Sequence, residues 1–177
     1  MKAIDSLRGK YVICICTGRD MESQNARKYA EMVDPDIIIH QNGTKITKGE
    51  EELFRHAMDA GLLHELYEYS AKKGFCMGFS HANGCYYTIP EIKTASDVSW
   101  RGFCDRHYLP FEEVFEKEIP IAALSFAGDI PKVKEEVERD FPQLTLFAFH
   151  SGTGADVVEK GYTKADGVRR VREYYGI

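Results

Sequence analysis

No apolar run in this chain approaches the roughly 20 residues a helix needs to cross a bilayer. The amino terminus, MKAIDSLRGK, has no apolar stretch of the kind a secretory signal requires. A cytoplasmic protein with no membrane partner is expected. Positive charge is in short supply as well, with 23 Lys and Arg against 28 Asp and Glu, a net charge of -5 and a pI near 5.7. The cations are scattered among acids, so no basic stripe forms and a nucleic-acid partner is excluded. An acidic chain can still hold a local phosphate site. A disulfide framework is missing too, since the five cysteines (Cys14, Cys16, Cys76, Cys85, Cys104) are odd in number and irregular in spacing. Cys14 and Cys16 lie in an apolar β-like run, and no nearby Cys or His completes a four-ligand metal set. Reduced, buried strand thiols are expected. The six histidines (His40, His56, His64, His81, His107, His150) show no metal-ligand spacing, which leaves them structural or surface roles. There is no internal repeat and no low-complexity linker, although Ser151-Gly152-Thr153-Gly154 reads as a hinge.

What is present is enough for one good-sized core, or for a small core carrying an insertion: 177 residues, 44% of them hydrophobic. Tyr11 to Cys16 is a continuous apolar run rich in β-branched residues and closed by Thr17-Gly18, the pattern of a buried parallel strand. A helix follows from Asp20 to Met32, with apolar spacing through Met21, Ala26, Tyr29, Ala30 and Val33, and stops at Asp34-Pro35. Ile37 to Ile39 makes a second buried strand, broken by the turn Gln41-Asn42-Gly43. Strand, helix and strand at this spacing form a βαβ unit, hence a parallel sheet with a right-handed crossover.

From Ile46 onward the pattern changes. Glu50 to Ala60 and Leu62 to Lys73 read as amphipathic helices, and Phe75 to Phe79 and Cys85 to Thr88 as strands paired around Asn83-Gly84. Ala122 to Ala127 is a strand, Pro131 to Arg139 a helix and Leu144 to Phe149 a strand, which suits an antiparallel sheet with helices on one face. Ala155 to Glu159 is a short strand, and Thr163 opens a last helix through Asp166, Val168, Val171 and Tyr174. The fold class is α/β: a partial Rossmann-like core with a parallel sheet over 1–45 and 155–177, and an inserted α+β cap over 46–154.

Three places carry candidate chemistry. Thr17-Gly18-Arg19 ends a parallel strand, the edge at which open α/β sheets bind ligands, and a helix follows it. There Thr17 can hold a phosphate oxygen; the alternative is that Thr17 caps the helix and Arg19 pairs with a surface acid. Lys164 follows the turn Lys160-Gly161-Tyr162-Thr163 early in the last helix, where its ammonium can reach a phosphate; taken alone it is a solvated helix lysine. Asn42-Gly43, at the same sheet edge as Thr17, is either an Asx turn or a ligand donor.

Tyr11 to Arg19 (YVICICTGR), then DIIIHQNGTKI, a long α+β stretch, and VVEKGYTKADGVRRVREYYGI follow one another in the order seen in Cof-type (class IIB) phosphatases of the haloacid dehalogenase (HAD)-like superfamily, which this chain resembles. The resemblance covers nearly the whole chain in segment order, while its specific residues lie near the two ends. It implies that Thr17 supplies the second motif and Lys164 the third, as catalytic residues holding phosphate. Asn42 is the matching Asn-Gly position, and Gly18, Arg19 and Gly43 join it in binding substrate. It further implies a magnesium-dependent phosphatase of a small phosphorylated metabolite, a sugar phosphate among the candidates, with a cap that excludes water and selects the leaving group.

The departures from that pattern are specific. The family's Asp-x-Asp-Gly-Thr and Gly-Asp-x-x-Asn-Asp motifs are absent, and with them the attacking aspartate, the general acid and base, and the ligands of magnesium. Gly128-Asp129 is followed by Ile130-Pro131-Lys132 in the cap-like region, and Asp5 lacks a strand and a partner aspartate. No metal ligands are assigned. A truncated chain, inactive or incomplete on its own, is therefore expected, with homo-oligomerisation through exposed core strands. The alternative is a non-catalytic phosphate-binding or assembly module. Trp100, Arg101, Phe103, Arg106, His107 and Tyr108 form an aromatic and basic cluster that either packs within the cap or lines a substrate pocket.

Overall fold

The computed structural model describes residues 2–19, 21, 24–81, 84–87, 121–125, 130–152 and 154–177. Asp20, Asn83, Thr88, Gly128-Asp129, Thr153 and the cluster from Trp100 to Tyr108 lie outside the described residues. In chain order the elements are α1 (Lys2–Asp5), β1 (Cys14–Cys16), α2 (Gln24–Val33), β2 (Ile37–His40), β3 (Lys45–Lys48), β4 (Glu51–Arg55), α3 (Ala60–Lys73), β5 (Cys76–His81), β6 (Gly84–Tyr87), β7 (Ile121–Ser125), α4 (Ile130–Asp140), β8 (Leu144–Ala148), β9 (Gly154–Glu159) and α5 (Lys164–Tyr175). They form two compact units, Met1–His56 with Gly161–Ile177, and Ala57–Lys160.

The first unit holds a four-stranded sheet in the order β1-β2-β3-β4. β1 and β2 are parallel, with Ile15 opposite Ile38, as the βαβ spacing requires. β2, β3 and β4 continue as an antiparallel meander. The helix expected from Glu50 to Ala60 is instead β4, and the sheet of the first unit extends past Ile46. The helix-forming Glu51, Glu52 and Leu53 yield to strand pairing, because Gly49 at φ 58° folds the chain back so that Lys48 faces Glu51. The expected burial of β1 is also corrected. Cys14 and Cys16 are exposed, since β1 is the edge of the sheet and no neighbour pairs with its outer side among the described residues.

Ile37, Ile39 and Ile46 pack with Val171 of α5 to form this unit's core. The helix lies so close that a Cβ on Gly167 would stand 2.6 Å from Ile39 Cγ2. Arg8 closes the far end of α2 by donating to the carbonyls of Asp34 (2.6 Å) and Val33 (2.5 Å), which satisfies acceptors a helix end leaves open.

The second unit holds an antiparallel sheet in the order β6-β5-β7-β9-β8. β9 belongs here: it pairs with both β7 and β8, so Ala155 to Glu159 is not part of the first unit's sheet, and the division falls between Lys160 and Gly161. Alternate residues Ala155 and Val157 of β9 share one apolar cluster with Leu62, Leu63 and Leu66 of α3 and Ile130, Val133 and Val137 of α4. Both helices therefore cover the same face of the sheet. α3 begins at Asp59, whose carboxylate accepts from the Leu62 amide at 3.1 Å, and ends at Gly74 with φ 74°. Of the expected hinge at Ser151 to Gly154, Thr153 lies outside the described residues; on either side of it the Gly152 amide donates to the Phe149 carbonyl at 2.9 Å and the Phe149 amide to the Gly154 carbonyl at 2.8 Å.

Candidate functional site

The carboxyl ends of the parallel pair β1 and β2 point the same way, and two short loops leave from them. After β1, the Thr17 amide donates to the Ile39 carbonyl at 2.9 Å and extends the ladder by one residue. The Arg19 amide then donates to Thr17 Oγ1 at 3.1 Å, a local turn that occupies the hydroxyl oxygen as acceptor and leaves its proton for an anion. Thr17 thus does not cap α2, which begins at Gln24.

The loop after β2 is Gln41-Asn42-Gly43, whose φ values of 45°, 60° and 109° are all positive. Two of these residues are not glycine, and a left-handed backbone at such positions is costly unless its surroundings hold it. The first loop provides that hold, because the Gln41 amide donates to the Arg19 carbonyl (3.1 Å) and the Asn42 amide to the Thr17 carbonyl (3.0 Å). The Asn42 side chain lies against Gly18, where a Cβ would meet its Oδ1 at 2.9 Å. Gln41, Asn42 and Gly43 are all buried.

The third component is the amino terminus of α5. Thr163 and Asp166 make a reciprocal capping box: the Thr163 amide donates to Asp166 Oδ2 at 2.9 Å, and Thr163 Oγ1 accepts from the Asp166 amide. The Thr163 hydroxyl holds the Asp166 carboxyl below its ordinary range. Gly43 is pressed against this helix start, since a Cβ there would run into the Thr163 carbonyl and stand 3.0 Å from the Lys164 amide. Only glycine satisfies both that approach and φ 109°. Lys164 is the first residue of the helix and is exposed. Its ammonium acts on the Cys16 thiol, opposing the neighbouring protein atoms that screen one side of this accessible thiol from water and push it up. Cys14, which Lys164 does not oppose, is pushed up to about 11 by partial desolvation against neighbouring protein atoms and by Cys16 beside it.

The turn before Lys164 is held from the other side. Tyr162 stacks on His56 with ring centres 3.4 Å apart and planes 4° from parallel. Arg170 lies over Phe54 at 4.3 Å and Tyr162 at 5.3 Å, and its Nη2 donates to the Gly161 carbonyl at 3.0 Å. Its Nη1 is buried without a hydrogen-bond partner among the described residues, its charge facing the two rings.

The structure thus brings Thr17, Gly18, Asn42, Gly43 and Lys164 to one place, with Arg19 contributing its backbone while its side chain is exposed. A hydroxyl at the end of β1, a helix start packed on the next loop and an ammonium whose charge reaches Cys16 suit an anion. The same donor set does not suit a divalent cation, and no group of three His, Cys, Asp or Glu that could hold a metal occurs among the described residues. Asp34-Pro35-Asp36 is the one Asp-x-Asp in the sequence. It lies at the opposite, amino end of β2, where Asp36 accepts from the Ile13 amide at 2.7 Å. Sequence reasoning missed Gly167, and for His40 it offered only a structural or surface role.

A family model described as haloacid dehalogenase-like hydrolase matches residues 1–177. No curated protein matches the sequence. Among solved structures, a subclass IIB sugar phosphatase of the HAD superfamily is 22% identical with a TM-score of 0.80, the match covering 99% of this chain and 67% of that one. A protein from Bacteroides thetaiotaomicron, described among the phosphatases of the superfamily, is 21% identical with a TM-score of 0.84 over 100% of this chain and 66% of its own. One from Thermotoga maritima is 15% identical with a TM-score of 0.76, over 99% and 67%. At these identities the likeness establishes the fold, and this chain spans about two thirds of the length of those proteins.

Proposed function

The chain belongs to the haloacid dehalogenase-like hydrolase family, and on that premise we propose that Thr17, Asn42 and Lys164 form the phosphate cradle of a phosphomonoester hydrolase. The observation that carries this is the convergence of the two loops and the helix start at the carboxyl end of the parallel pair. In this reading the Thr17 hydroxyl donates to a phosphate oxygen, Lys164 offsets its charge, and the Asn42 amide orients the bound group. Gly18, Arg19 and Gly43 shape the backbone around it. A sugar phosphatase shares the fold, so a small phosphorylated metabolite, with sugar phosphates first to be tried, is the substrate class. The unit Ala57–Lys160 takes the role of the cap that selects the leaving group.

Magnesium would supply charge neutralisation at phosphorus in such a hydrolase. The donors described at the cradle do not fit that ion, and no step is assigned through it. The sequence contains neither Asp-x-Asp-Gly-Thr nor Gly-Asp-x-x-Asn-Asp, so the cradle binds phosphate while this chain alone does not cleave the ester. The same missing carboxylates favour a second reading, a non-catalytic phosphate-binding or assembly module. Incubation with magnesium and p-nitrophenyl phosphate, with Lys164→Met as control, tests whether this chain cleaves an ester on its own. No turnover is expected; turnover that is lost in the Lys164 variant would show that the attacking group is present after all.

A further inference from the structure

His40 is wholly buried, yet it belongs to neither apolar cluster. Its imidazole is bonded at both ends. The Met21 amide donates to Nδ1 at 3.0 Å, so Nδ1 carries a lone pair and the ring proton sits on Nε2. Nε2 therefore donates to Thr47 Oγ1, 2.7 Å away on β3. An imidazolium would set a donor against the Met21 amide and lose that bond, so the neutral ring with its proton on Nε2 is the form that fits.

The two partners lie on different parts of the first unit. Met21 follows the loop that carries Thr17, Gly18 and Arg19, while Thr47 belongs to the antiparallel strand beyond the Asn42 turn. Between them, Ile39, Gln41 and Asn42 exchange backbone hydrogen bonds with Thr17 and Arg19. Those bonds fix the near part of the loop after β1. Its far part, at Met21, is held by His40.

We propose that His40 is a positioning residue for the phosphate cradle: its neutral imidazole, oriented by Thr47, holds Met21 and with it the far end of the loop after β1 against β2, and so limits how far the Thr17 hydroxyl can move relative to Asn42 and Lys164. This rests on the phosphate reading above. A histidine that merely fills space would be replaced equally well by any side chain of similar volume. A positioning histidine has a sided requirement, because the bond to Met21 matters and it is made by Nδ1. Asn places an acceptor near the Nδ1 position, whereas Gln reaches toward the Nε2 position.

The experiment is titration of the full chain and of its His40→Asn and His40→Gln variants with inorganic phosphate, followed by amide NMR, with circular dichroism to confirm folding. His40→Asn is expected to bind within about threefold of the unaltered chain and His40→Gln about tenfold more weakly, the scale of one lost buried hydrogen bond. Equal binding by the two variants, with the unaltered chain binding, overturns the positioning role and leaves the cradle standing. Failure of the unaltered chain to bind overturns the cradle and this role with it. Should neither variant fold, hydrogen exchange of the unaltered chain decides: a Met21 amide protected at least about tenfold supports the clamp, and an unprotected one refutes it.

Discussion

The two units of the molecule fill their interiors differently. Among the described residues, six of the seven buried polar or charged side chains (His40, Gln41, Asn42, Thr44, Lys45 and Thr47) lie in one stretch of the first unit, against Ser70 alone in the second. The apolar clusters run the other way, with thirteen buried residues in the second unit and four in the first. Burying polar groups is costly unless each is bonded, so a unit with a small core does not acquire such a stretch for stability. Among the described residues, the first unit's buried polar groups gather around one turn, while the second's buried side chains are nearly all apolar.

That contrast can be broken from either side. The largest loss of stability is expected in the second unit, where Leu66 is fully buried within the apolar cluster. Leu66→Ala should cost about 2–5 kcal/mol, read by chemical denaturation, while the folded fraction binds phosphate unchanged. Gly43→Ala should do the reverse. Its cost in stability is smaller, about 1–3 kcal/mol for a strained, overpacked position, but phosphate binding should be lost because the start of α5 is displaced. If Gly43→Ala bound phosphate normally, the close approach to Thr163 and Lys164 would have no functional meaning.

Thr163→Ala removes one half of the capping box and should cost about 1 kcal/mol at neutral pH. The Asp166 carboxyl is held below its ordinary range by Thr163. Its contribution is thus present above the unfolded pKa and is lost as pH falls through the lower folded value. The gap between the variant and the unaltered chain should therefore narrow below about pH 4, which melts at a series of pH values would show. The smallest effect is expected from Lys164→Met, within about 0.5 kcal/mol in stability because the side chain is exposed. Loss of the ammonium should push the Cys16 thiol further up, so alkylation of Cys16 at fixed pH should slow while that of Cys14 does not.

Much of this arrangement was legible before any coordinates. The βαβ pair, the Asn-Gly turn and the helix opening at Thr163 are written in local patterns: β-branched runs, turn residues and helical apolar spacing after a threonine. What escaped was set by pairing at a distance. Glu51 to Arg55 favours a helix in isolation and becomes a strand because β3 lies beside it. Ala155 to Glu159 reads from its sequence as part of the core, yet its neighbours β7 and β8 place it in the second unit. Cys14 and Cys16 look like core residues, yet exposure depends on which strand is the edge, something an apolar run cannot encode. At the site, Thr17, Asn42 and Lys164 were visible through their motifs. The buried role of His40 was not, because a lone histidine carries no signal until both of its hydrogen-bond partners are known.

The most direct test of the cradle is amide NMR of the full chain during titration with inorganic phosphate, set beside the same titration of Lys164→Met. Saturable shifts are predicted at Thr17 to Arg19, at Asn42 and Gly43, and at Lys164, and they should vanish in the variant. Shifts that do not saturate, that fall elsewhere, or that persist without Lys164 would contradict the account.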